Sequence, residues 1–322
     1  MRIVFMGANQ TGFLCLQELL AMGEQVVGVF TVPPRFSISY AKQPVAVATY
    51  RPFDQLASAH GVPLVVVDQP MREYVEPLRA LRPDLIFVSG WYHLLPGAML
   101  AIPQQGIIGL HPSLLPKYRG GAPLTWAIIN GETQAGITLF HLGRGVDDGD
   151  IIGQERVAIG PDDTIATVYE QVNQSAVRLV RAMVPRLRQG TAPRIPQDAS
   201  QASVFPQRAP EDGVIDWSWP ARRIHDWVRA QTRPYPGAYT SLDDQRWMIW
   251  STAVLDGPEA LPHAPPGSIV RITAGSGVDV ATGEGRLRLL EAERTGQPAA
   301  LERIARPGLR FGGLPRPVAA GV

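Results

Sequence analysis

The sequence is poor in several things, and each absence excludes a class of protein. It has one cysteine, Cys15, so an intrachain disulfide and a cysteine-cluster metal site are both out of reach. Cys15 lies among Phe13, Leu14 and Leu16, where a thiol behaves as a small buried hydrophobe. No stretch of about 18 apolar residues occurs, and the opening MRIVFMGANQTG has no basic segment leading into an apolar run; a cytoplasmic protein without a membrane span is expected. Charged residues make up only 18%, and the net charge is +1. Residues 1–190 carry 15 basic and 15 acidic side chains, and residues 191–322 carry 15 and 14. Neither half is a basic body that holds a phosphate backbone by charge. Phosphate-loop, zinc-protease and G-x-S-x-G patterns are missing. His60, His93, His141, His225 and His263 have no paired spacing for a metal, so none is expected.

Apolar residues (45%), glycine (32) and proline (30) are plentiful, as in a globular chain with many tight turns. The length of 322 residues predicts two domains. Apolar strand-like runs at 2–7, 25–31, 63–67, 84–89 and 106–110 alternate with helical patterns at 11–22, 53–60 and 73–81. That alternation implies a mainly parallel, Rossmann-like α/β sheet buried on both faces. Residues 136–142 and 150–159 read as later, antiparallel strands, and 162–188 as the longest helix, its start capped by Asp163, with Thr164 next, and its end marked by Gly190. Residues 190–213 have linker composition. Beyond them come a helix at 221–232 and short strands at 237–242, 246–254, 267–272, 277–281 and 285–291, the pattern of a small β-rich, barrel-like domain. Five of the seven tryptophans fall between Trp217 and Trp250 and read as its core. The expected division is a catalytic domain at 1–190, a linker at 191–208 and a small domain at 209–322, through which two chains could pair.

The turn Gly7-Ala-Asn-Gln-Thr-Gly12 lacks the middle glycine of the dinucleotide fingerprint, and no acidic residue closes the next strand, which disfavours a nicotinamide cofactor. It reads instead as a turn at the edge of a ligand crevice, with Asn9 and Gln10 as candidate substrate contacts. His111 ends an apolar strand, where open α/β sheets place their ligands. The loop Gly145-Val-Asp-Asp-Gly-Asp150 gathers carboxylates between two strands. A histidine and a carboxylate meeting there suit acid–base work or oxyanion stabilisation; alternatively, the Asp-Gly cluster only makes a turn. Lys117 and Arg119 could meet an anionic substrate or lie in a solvated loop.

The stretch GIIGLHPSLLPKYRGGAP…GRGVDDGD resembles the signature of the 10-formyltetrahydrofolate-dependent formyltransferases, matching at His111, Ser113, Leu114, Leu115, Pro116, Arg119, Gly120, Pro123, Gly145, Asp147, Gly149 and Asp150. The opening residues, 84–95, 210–217 and 233–238 match as well. The resemblance implies a formyltransferase fold and transfer of a formyl group from 10-formyltetrahydrofolate to a primary amine. It implies His111 and Asp147 as the catalytic pair, with Trp91, His93, Leu94, Leu95, Gly145, Val146 and Asp148 around the folate pteridine. The family's catalytic asparagine falls on Gly109. Losing one such oxyanion donor costs about 2.7–4 kcal/mol. A water or other donor could fill its space, substrate groups could enter it, or the chain could bind folate with little transfer. The family's tRNA enzymes carry a basic loop after the second strand, whereas here residues 32–52 hold only Arg35, Lys42 and Arg51. A small amine, an amino sugar on a nucleotide, is therefore the expected acceptor, with methionyl-tRNA formylation as the alternative.

Overall fold

The computed structural model describes residues 1–37, 44–143, 145–255, 264–294, 301 and 305–312. Lys42 and His263, singled out above, lie outside the described residues. The chain forms two compact units, residues 1–120, 135–157 and 170–204 in the first and 121–134, 158–169 and 205–322 in the second.

The first unit is built on a seven-stranded sheet. Its strands are β1 (Arg2–Gly7), β2 (Gln25–Thr31), β3 (Leu64–Val66), β4 (Leu85–Ser89), β5 (Ile107–His111), β6 (Gln134–His141) and β7 (Ile151–Ala158), in the order β7-β6-β5-β4-β1-β2-β3. The pairs β1–β2, β1–β4, β2–β3 and β4–β5 are parallel, and β5–β6 is antiparallel. β4 and β5 are buried throughout, which is why they read as unbroken apolar runs rather than alternating ones. Helix α1 (Gln10–Ala21) buries Cys15, Leu16 and Leu19. A Cβ on Gly7 or Gly12 would lie 2.7 or 2.8 Å from the Ser89 carbonyl oxygen. Those two glycines therefore serve close packing of the first turn against β4 and are not a phosphate cradle.

Helices α2 (Asp54–Ala59) and α3 (Val75–Ala80) follow the sequence pattern, whereas α4 (Gly97–Leu100) and α5 (Pro123–Ile129) escape it. Both are short, and α5 reads PLTWAII, rich in β-branched and aromatic residues that favour strands. Helix α6 runs Ile165–Arg188. Its cap is Thr164 rather than Asp163: Thr167 N–H donates to Thr164 Oγ1 and Thr164 N–H to Thr167 Oγ1. Asp163 instead accepts from Gly160 N–H at 2.7 Å. At the other end Gly190 has φ +68°, and Thr191 N–H reaches Arg186 O at 2.9 Å, the left-handed C-terminal motif that glycine permits.

In the second unit, helix α7 (Ala221–Arg229) precedes β8 (Ala238–Leu242), β9 (Gln245–Leu255), β10 (Ile269–Thr273), β11 (Gly277–Ala281) and β12 (Arg286–Arg294), ordered β8-β9-β12-β11-β10 and antiparallel throughout. One segment engages both edges: Gly312 exchanges backbone bonds with Ser241 of β8, and Ile269 N–H of β10 donates to Leu309 O. The sheet is thereby barrel-like. Trp217, Trp227 and Trp247 are buried in its core; Trp250 instead lies under the Arg233 guanidinium at 4.2 Å. Among the described residues no helix is long and apolar enough to cross a membrane. No group of three His, Cys, Asp or Glu among them could hold a metal.

Candidate active site

Strand β5, IIGLH, delivers His111 to the carboxyl edge of the sheet. Side chains alternate along a strand, so Gly109 and His111 share a face. His111 is 7% exposed. Its Nε2 lies 2.7 Å from the Tyr118 carbonyl oxygen, and its Nδ1 lies 3.5 Å from Asp147 Oδ2. Both neighbours are acceptors. A doubly protonated ring can donate to both at once, while a neutral ring sets a lone pair against one oxygen. Phe140 meets the imidazole edge-on, with centroids 6.5 Å apart.

Asp147 adopts a left-handed backbone, φ +49°, which Asp tolerates better than most residues. Its Oδ2 also accepts from Gly120 N–H at 2.8 Å. The neighbouring Asp148 folds back onto its own loop, where a Cβ on Gly143 or Gly145 would strike its carboxylate. Asp150 faces Arg194 Nε at 3.3 Å. Of the three carboxylates only Asp147 reaches the histidine.

The space beside Gly109 is occupied. A Cβ there would lie 2.5 Å from Leu142 Cδ1 and 3.3 Å from Phe140 Cε1. The leucine tip and the phenylalanine ring therefore crowd the first atom of any side chain at this position, and Leu142 must shift to admit one.

The remaining sequence-predicted residues divide. Arg119 is joined to the carboxylate loop through Gln197, whose Oε1 accepts from Arg119 Nε and Nη2 at 3.1 and 2.7 Å. Lys117 is exposed, and its carbonyl accepts from Ser113 Oγ. Asn9 Oδ1 caps α1 through Gly12 N–H, and Gln10 N–H donates to Thr49 O, so that turn is held together from within. Leu94 and Val146 are 79% and 60% exposed. Leu95 is partly buried and packs on the core. The ring of His93 lies 5.7 Å from Trp91 and 5.3 Å from Phe36, and burial pushes its ionisation down. Trp91 Nε1 and His93 Nε2 are buried with no hydrogen-bond partner. Stranded polar atoms of this kind cost free energy unless something pairs with them, and on an aromatic-lined wall they fit a flat, nitrogen-rich ring.

Sequence reasoning missed the residues that hold the loop after His111. Thr138 Oγ1, fully buried, donates to Ser113 O and accepts from Leu115 N–H and Gln154 Nε2. Thr138 and Gln154 look like ordinary strand residues, and Gln197 lies in a stretch of linker composition, so no pattern marks them.

With this geometry established, comparison with known proteins is informative. Residues 1–184 match the family model described as "Formyl transferase", and residues 208–305 match "Formyl transferase, C-terminal domain". The chain is 37% identical over 300 residues to a methionyl-tRNA formyltransferase of Trichlorobacter lovleyi, covering 92% of this chain and 90% of that one. It is 36% identical over 301 residues to the methionyl-tRNA formyltransferase of Citrifermentans bemidjiense, with the same coverage. Its fold is similar to that of an N-formyltransferase from Helicobacter canadensis solved with folinic acid and dTDP-3-aminofucose, with a TM-score of 0.66 and 16% identity over 89% of this chain and 98% of that one.

Proposed function

The chain belongs to the formyl transferase family, and from that premise we propose that it formylates the amino group of methionyl-tRNA. The observation that carries this reading is the identity to two methionyl-tRNA formyltransferases along nine-tenths of the chain. It outweighs the charge balance that favours an amino sugar in the sequence, because a tRNA can be met by a few placed arginines as well as by a net positive body. The near-neutral composition remains the support for a second reading, a nucleotide-linked amino sugar as acceptor.

The family's donor, 10-formyltetrahydrofolate, supplies the formyl group. Trp91, His93 and Leu95 are the residues to hold its ring, since the first two offer unpaired buried nitrogens. His111 would offer a ring N–H to the formyl oxygen as negative charge develops there. Asp147, 3.5 Å from Nδ1, would orient the ring. With Nε2 2.7 Å from Tyr118 O, a reacting oxygen meeting that nitrogen would share or displace the contact. With Leu142 beside Gly109, His111 works without the neighbouring amide donor. Turnover is then expected to fall roughly 10²–10³-fold below that of an asparagine-bearing relative.

The test is direct. Purified protein is given 10-formyltetrahydrofolate with methionyl-tRNA, and separately with a dTDP-linked amino sugar. Formyl-methionyl-tRNA appearing faster supports the proposal. Formylation of the sugar alone replaces it with the second reading.

A further inference from the structure

The segment that looks like a linker runs along the candidate site. Ile195 and Ile151 exchange backbone hydrogen bonds, Ser203 Oγ accepts from Tyr118 N–H, and Ser203 O accepts from Arg119 N–H. Between these fastenings lies Gln197. Its Nε2 donates to Asp147 O and to Gly149 O, both at 2.8 Å, and its Oε1 takes Arg119 Nε and Nη2. A primary amide has two donor hydrogens and two acceptor lone pairs. Here all four are used, and the two carbonyls can only be met by the nitrogen, so the amide has one orientation.

We propose that Gln197 is a positioning residue for formyl transfer: it grips the left-handed turn that holds the Asp147 carboxylate against His111 and links that turn to Arg119. The inference rests on the His111–Asp147 pair described above. Apart from its contact with His111, Asp147 is held among the described residues at its carboxylate by Gly120 N–H and at its carbonyl by Gln197. A non-glycine residue at φ +49° relaxes when the structure around it stops enforcing that conformation. Without the amide, two loop carbonyls lose their donor and the carboxylate can swing away from Nδ1. A role confined to fastening the segment would predict none of this, because the Ile195 and Ser203 bonds do not involve the Gln197 side chain.

The experiment uses full-length protein with ¹⁵N-labelled histidine and follows the His111 Nδ1 chemical shift at fixed pH. Asp147→Asn defines the signal of a ring without its carboxylate. Gln197→Leu keeps a branched side chain of comparable volume and removes all four bonds. Gln197→Glu keeps the acceptors for Arg119 and removes both donors. Both Gln197 variants are expected to move the Nδ1 shift in the direction of Asp147→Asn and to lower kcat about tenfold or more with less than about twofold change in KM for the folate. Thermal melting reports whether each variant folds, and if the leucine variant does not, the glutamate variant alone decides. An Nδ1 shift that stays at the wild-type value in a folded variant overturns the proposal. The shift is read without turnover, so a protein that formylates nothing disproves the proposed function while leaving this inference to stand or fall by the spectrum.

Discussion

The two flanks of His111 are built on opposite principles. On one side the contacts are polar: Tyr118 O lies 2.7 Å from Nε2, Asp147 Oδ2 lies 3.5 Å from Nδ1, Gly120 N–H donates to that carboxylate, and Gln197 donates to the loop behind it. On the other side Gly109 lies beneath Leu142 and Phe140, with hydrocarbon where a donor would stand. The polar flank orients the ring through directional contacts, each made by a specific group. The apolar flank is fixed by volume.

The largest predicted effect comes from breaking the polar flank. Asp147→Asn is expected to slow single-turnover formyl transfer by about 10²–10⁴-fold with the melting temperature nearly unchanged; an unaltered rate would remove Asp147 from the chemistry. The apolar flank is probed next. Gly109→Asn alone drives a carboxamide into Leu142 and is expected to cost about 1–3 kcal/mol in urea unfolding, with no gain in rate. The double change Gly109→Asn with Leu142→Ala makes room, and transfer should then rise toward about 10²-fold. A rate gain in the single variant without loss of stability would mean that Leu142 yields freely. Thr138→Val removes one hydroxyl that serves Ser113, Leu115 and Gln154, and a loss of about 1–3 kcal/mol in the same unfolding assay is expected.

The smallest effect is electrostatic. His225 is lowered chiefly by burial, then by Arg222, and His93 and His141 are likewise lowered chiefly by burial. The unfolded chain therefore takes up protons first as pH falls. Stability is full above the ordinary histidine range near pH 6.5 and declines as pH drops through it toward the lower folded values. Melting temperatures at pH 7.5 and 5.5 should differ accordingly, and His225→Gln should narrow the gap; an unchanged gap would assign it to the other titrating groups.

Much of the fold could be read in advance, for stated reasons. RIVFMG and LIFVS are continuous apolar runs because both faces of their strands are covered. Residues 277–281 begin and end where the pattern places them. The 24-residue helix α6 was legible from its period and its start from Asp163 and Thr164: Thr164 Oγ1 takes Thr167 N–H, while Asp163 accepts from Gly160 N–H and from the Thr167 hydroxyl. Of the candidate site, a strand-end histidine and a carboxylate-rich loop were legible as local patterns and the family resemblance pointed to Asp147, while the 3.5 Å approach of its Oδ2 to His111 Nδ1 is a matter of the fold. The capping role of Asn9 was not legible, because an Asn in a strand-to-helix turn can serve either a ligand or the helix, and the structure shows its Oδ1 taking Gly12 N–H.

By itself the sequence determined the order of the main strands and of helices α1, α2, α3, α6 and α7, the position of His111 at a strand end and the glycine two residues before it. These depend on periods of two and 3.6 residues and on neighbours along the chain. The tertiary structure decided which of Asp147, Asp148 and Asp150 faces the imidazole, that Leu142 occupies the place beside Gly109, and that Gln197, 50 residues from Asp147, holds its turn. Those outcomes depend on distances between segments remote in sequence, and the folding of intervening chain sets such distances while composition and spacing leave them open.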